Sequence, residues 1–149
     1  MTPTELLGEV DRILEESKTA LFATLDAQGR PQLRWMTPRQ LRGRPGRIYA
    51  VTELGTPKSA EIRRDPRVTW LVQRASLAQV ITLRGRAAVV EDPSLLNEFL
   101  EASGKDLFMV WHLHPAQDRP QLAVIETVLE DASRFDATFG KTENFTFGA

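Results

Sequence analysis

The sequence predicts a mainly β domain with peripheral helices, its six short strands forming a closed or partly closed antiparallel barrel. Three observations lead there. Short apolar segments rich in β-branched residues recur between Gly, Pro and Asp turn signals. No helical pattern separates the first three of them, which argues against an alternating parallel α/β plan. Helical patterns are confined to the start of the chain and to two short stretches inside it. At 149 residues the chain suits a single domain over 1–149, and a chain of that size buries roughly 70% of its surface on folding.

The first helix is announced by Thr2-Pro3-Thr4-Glu5, which offers a capping hydroxyl, proline at the first helical position and glutamate three residues after the cap. Leu6, Leu7, Val10, Ile13 and Leu14 follow at helical spacing, and the pattern ends near Ser17. Residues 19–25 and 31–37 read as a hairpin across the turn Asp26-Ala27-Gln28-Gly29, and Arg47 to Thr52 as the third strand. A short helix at about 57–64 stops at Asp65-Pro66, where the residue before proline is pushed out of the helical region. Arg67 to Val72 is the fourth strand, and Leu77 to Val90 a long fifth one with a bend expected at Arg84-Gly85-Arg86. Asp92-Pro93-Ser94 opens a helix to about Ala102, with Gly104 as its stop. Leu122 to Leu129 is the sixth strand, with a further short one possible around Arg134–Ala137. Residues 136–149 read as a loose tail, and 105–120 carry no clear pattern.

Composition excludes some functions. No apolar run approaches the roughly 18 residues a membrane span needs. The acidic, amphipathic N-terminus resembles neither a signal nor a transit peptide, so a cytoplasmic location is expected. With no cysteine there is no disulfide framework and no thiolate metal site. His112 and His114 stand two apart, too few ligands for zinc, and no metal site is expected. Net charge is −1, yet residues 19–90 hold thirteen Lys and Arg against four Asp and Glu, while 91–149 hold four against eleven. Such asymmetry suits an anion site, a complementary dimer face, or two opposite surfaces meeting in one domain. The cluster Arg42, Arg44, Arg47 lacks an aromatic stacking set, so nucleic acid is not an expected partner.

Chemistry concentrates where the third strand enters the second helix. In Gly55-Thr56-Pro57-Lys58, threonine caps the helix and proline gives up an N–H the helix does not use. The first turn then presents the positive end of the dipole beside a lysine, an arrangement that suits an anion but also occurs in helices that bind nothing. Arg34 and Arg39 bracket the second strand, and arginine's planar fork suits phosphate.

The run Arg34-Trp35-Met36-Thr37-Pro38-Arg39, followed by Ile48-Tyr49-Ala50-Val51-Thr52-Glu53-Leu54-Gly55-Thr56-Pro57-Lys58, resembles the FMN-binding split barrels of the pyridoxamine 5'-phosphate oxidase superfamily. Asp65-Pro66-Arg67-Val68 and Gly85-Arg86-Ala87 continue the pattern, which covers about residues 4 to 130 and is most similar to the general stress protein subgroup. The resemblance implies a six-stranded antiparallel split β-barrel of Greek-key type and a homodimer with FMN at the interface. By position, Arg34 and Lys58 would hold the phosphate, with Thr56 donating and Pro57 opening the helix. Trp35, Met36 and Thr37 would run along the flavin, Val51 and Thr52 would line its ring, and Gln79 would reach it from the interface. A deazaflavin, or no cofactor, is the alternative. No residue stands out as a dedicated acid, base or nucleophile.

Two departures shape the functional expectation. Position 57 is proline where the oxidase proper carries arginine, and position 39 is arginine where it carries lysine. The C-terminus lacks that enzyme's basic and aromatic segment. Pyridoxamine phosphate oxidation is therefore not expected. The implied function is an FMN-dependent oxidoreductase taking electrons from a nicotinamide donor, or a non-catalytic flavin-binding or flavin-free stress protein dimer.

Overall fold

The structure is a computed structural model, and it describes residues 1–104 and 121–148. The elements run α1 (Pro3–Ser17), β1 (Ala20–Leu25), β2 (Pro31–Met36), β3 (Arg47–Glu53), α2 (Pro57–Arg64), β4 (Arg67–Gln73), β5 (Gln79–Val90), α3 (Pro93–Ser103), β6 (Leu122–Asp136) and β7 (Lys141–Thr146). The Thr2 hydroxyl accepts from the Glu5 amide, closing the first turn of α1 as its sequence predicts. Leu6, Val10, Ile13 and Leu14 are buried, each contributing about 2 kcal/mol of apolar transfer. That burial, more than intrinsic propensity, holds a helix of this length.

All strands pair antiparallel in the order β2-β1-β4-β5-β6-β3, with β7 also on β6. The expected barrel is not found. Among the described residues no ladder joins the outer strands β2 and β3, so the sheet stays open. Only an isolated bridge, Arg39 to Tyr49 with both bonds at 2.8 Å, touches across that gap. Pro38 gives the reason: it has no N–H to extend a ladder, and β2 ends before it after pairing with β1 through Met36.

Strand number also differs. The expected tail forms β7, which pairs Lys141–Thr146 with Asp131–Asp136. Only Phe145 of β7 is buried, so the segment has almost no apolar alternation to betray it. β6 is correspondingly long. Its first half pairs with β3 and its second half with β7 along the same edge. The break falls where Arg84 faces Asp131 but Gly85 faces Leu129, leaving Glu130 as the extra residue. Gly85 is required there, since a Cβ would stand 2.2 Å from the Val128 carbonyl oxygen.

The sheet's inner face carries the main core, where Phe22 and Trp70 stack at 4.1 Å and the Trp70 indole donates to Thr127 Oγ1 at 3.0 Å. α3 covers a second cluster around Tyr49, Phe99 and Val124. No helix among the described residues is long and apolar enough to cross a membrane. Trp111, His112 and His114 lie outside the described residues.

Candidate functional site

β3 ends at Glu53, the chain turns at Gly55 with φ of 85°, and α2 starts at Pro57. That φ lies in the left-handed region, which glycine enters without strain. Thr56 caps α2 by accepting from the Ser59 amide at 3.4 Å while its hydroxyl donates to the Glu53 carbonyl at 3.1 Å. The hydroxyls of Thr52, Thr56 and Ser59 form a row, with Oγ1···Oγ1 of 3.5 Å and Oγ1···Oγ of 3.3 Å.

A cleft of about 270 Å³ opens at this corner, lined by Met36, Val51, Thr52, Glu53, Thr56, Lys58 and Leu122. Five residues singled out in the sequence therefore meet in one place: Met36, Val51, Thr52, Thr56 and Lys58. Pro57 is beside them at the helix start, exposed. Thr37 instead lines a separate cleft of about 210 Å³ with Asp11, Glu15 and Gln40.

Strand geometry separates the rest. Side chains alternate across a strand, so Arg34 and Met36 face inward with their β1 partners Phe22 and Ala20. Trp35 and Leu33 face outward and are 61% and 67% exposed. The side chains of Trp35 and Met36 thus stand on opposite faces of β2. Gln79 begins β5 at the end remote from Val90, which neighbours Val124 and through it Val51. The row Trp35–Leu21–Leu71–Thr82 nevertheless sets this end of β5 three strand spacings from β2, about 17 Å from the Met36 side of the cleft.

Arg34 is engaged by protein groups. Its Nη1 donates to Thr24 Oγ1 at 2.8 Å and its Nη2 to Glu61 Oε1 at 3.2 Å, and the Thr24 hydroxyl donates to the same Oε1 at 2.6 Å. Sequence reasoning missed Glu53 and Leu122, which line the cleft, and Glu61 and Thr24, which hold Arg34 beside it. Glu61 had a signal: it lies three residues after Lys58, on the same helix face.

The electrostatics converge on Lys58. Burial first and Arg34 second push its pKa below the ordinary lysine value, and Glu53 and Glu61 only partly offset them. An ammonium in that position is stabilised by an added anion. With Pro57 lacking an N–H and the Ser59 amide committed to the cap, the Lys58 amide is the first-turn donor left for a ligand among the described residues. These groups fit an anionic ligand such as a flavin phosphate.

Comparison with known proteins assigns the chain. The family model described as pyridoxamine 5'-phosphate oxidase matches residues 6–134. The chain belongs to that family. The matched span includes the runs Arg34–Lys58, Asp65–Val68 and Gly85–Ala87. Solved structures share the fold. A candidate pyridoxamine 5'-phosphate oxidase from Listeria innocua is 26% identical, with 85% of this chain and 95% of that one aligned at a TM-score of 0.66. A Clostridium acetobutylicum protein related to general stress protein 26 is 17% identical over 96% of this chain and 95% of its own, with a TM-score of 0.73. A pyridoxamine 5'-phosphate oxidase-related, FMN-binding protein of Nostoc punctiforme aligns over 100% and 99% at 10% identity and a TM-score of 0.64. No curated protein matches the sequence significantly.

Proposed function

We propose that this family member is an FMN-binding flavoprotein that acts as an oxidoreductase and works as a homodimer. The observation that supports it most is the cleft where Lys58, with its lowered pKa, meets the capped start of α2 beside Met36, Val51 and Thr52. The Nostoc relative's description as FMN-binding points the same way. Lys58 holds the phosphate end at the turn that Thr56 caps, with Arg34 adding positive charge behind it. Met36 and Val51 offer apolar surface to the ring, and Thr52 a hydroxyl. FMN supplies hydride and electron transfer when bound, with a nicotinamide as the donor class. The chain's part is to bind, orient and shield it.

The dimer reading rests on the outer face of the sheet. Leu33 and Trp35 stand exposed beside Leu21 and Leu71, with Phe135 further across at 42% exposure. A second copy covers this face, and it carries Trp35 toward a flavin held by its partner. Pyridoxamine phosphate is not the substrate in this reading, given Pro57 and a C-terminus that β7 ties to β6.

Titration with FMN, followed by quenching of flavin fluorescence, tests the proposal. Saturable binding that Lys58→Ala weakens supports it, and oxidation of NADH or NADPH by the loaded protein separates an oxidoreductase from a binder. A protein that ignores FMN sinks the flavin reading. Sedimentation tests the dimer, which Trp35→Glu should split. One observation favours the second reading, a stress protein dimer holding flavin weakly or not at all: Arg34 is already paired with Glu61.

A further inference from the structure

We infer that Glu61 is a specificity-determining residue of the cleft. By holding Arg34 in an ion pair, it keeps the arginine off a ligand's phosphate and leaves the ammonium and backbone amide of Lys58 as the anion contact. The inference rests on the flavin reading and deepens it.

Three elements close the triangle. Thr24 comes from β1, Arg34 from the inner face of β2 and Glu61 from α2, joined at 2.8, 3.2 and 2.6 Å. The guanidinium also lies 5.9 Å from the centroid of the Phe22 ring. The Arg34 and Glu61 side chains are 24% and 11% exposed, so the pair is largely withdrawn from water. Drawing Arg34 onto a phosphate strands the Glu61 carboxylate in that environment, and stranding a buried charge is costly. It also places a second negative group next to the ligand.

Charge balance leads to the same conclusion. Among the described residues, the charges acting on Lys58 are those of Arg34, Glu53 and Glu61, so the lysine and arginine face two carboxylates. A phosphate monoester carries nearly two negative charges at neutral pH. A balanced seat gains little from the second of them. The chemistry favoured here is a flavin held by its ring and side chain, with a modest phosphate contribution.

The test compares FMN with riboflavin, which lacks the phosphate, in the wild type and in Glu61→Gln. The glutamine keeps the shape and the contact with Thr24 while removing the charge. The wild type should bind the two flavins within about three-fold of each other, and Glu61→Gln should bind FMN about ten-fold tighter with riboflavin unchanged. Adding Arg34→Gln to Glu61→Gln should abolish that gain, an outcome a purely structural role for Glu61 does not produce. Inorganic phosphate should raise the thermal midpoint of Glu61→Gln more than that of the wild type, a readout that needs no flavin. An unchanged FMN to riboflavin ratio, with both flavins still bound, overturns the role of Glu61 and leaves the flavin reading standing. If neither protein binds either flavin and phosphate protects both equally, the two readings fall together.

Discussion

Two clusters of withdrawn charge among the described residues differ in what they lack. Arg134 on β6 donates to both carboxylate oxygens of Glu9 on α1, at 2.7 and 3.1 Å, and to Asp136 at 3.4 Å. Their side chains are only 8–12% exposed. The hydrogen bond to Glu9 outweighs burial, so the pKa of Arg134 is raised and its charge is held in place. At Lys58 burial and Arg34 prevail, and the pKa falls. The first cluster is complete in itself and fastens the first helix to the sheet. The second still favours an anion. Both look alike as lists of charged residues, but Lys58 borders an open cleft whereas Arg134 is held between two carboxylates.

The largest expected effect comes from breaking the clamp. Glu9→Gln leaves Arg134 with one weaker partner and should cost about 3 kcal/mol, the scale for losing one side of a buried pair; a denaturant midpoint measures it. Lys58→Met should do the reverse, leaving stability at neutral pH undiminished while weakening FMN binding about three-fold, the modest share left to the phosphate. If it unfolds the protein instead, Lys58 belongs with the clamp and the contrast fails.

pH sharpens the difference. Lys58 has a folded pKa below its unfolded value, so the unfolded chain binds more protons between the two. Its contribution to stability therefore rises with pH through that window. A bound anion raises the pKa again, so FMN affinity should fall as pH climbs through the lowered value. Tyr49 moves oppositely. Burial, with the bond its hydroxyl donates to Glu126, raises it from 10.0 to about 12, and the stability it contributes is lost over that range. Subtracting the profile of Lys58→Met from that of the wild type isolates the lysine. The smallest effect is expected of Thr56→Ala, about 1 kcal/mol from loss of the cap, with flavin affinity reduced as the row of hydroxyls is broken.

Much of the site was legible because its parts are local. The cap at Thr56, the turn at Gly55 and the lysine in the first turn follow from neighbouring residues, and the structure brings Met36, Val51 and Thr52 to them. Arg34 was recognised as a cation, but its partner was not, since Glu61 lies 27 positions away on another element. The family resemblance sets Trp35 beside Met36 by position, and the strand turns their side chains to opposite faces. β7 escaped notice since a strand with one buried residue leaves no periodic trace.

By itself, the sequence determined the helices with their caps, the turns, the strand segments and the bend at Gly85, all set by interactions within a few residues. It also carried the family pattern. Only the tertiary structure decided that the sheet stays open, that β6 shares one edge between β3 and β7, and that Arg34 is tied to Glu61. Those outcomes depend on which strand edges meet and which charges are withdrawn from water together. Both are properties of pairing across the sheet, and neither local propensity nor residue spacing encodes them.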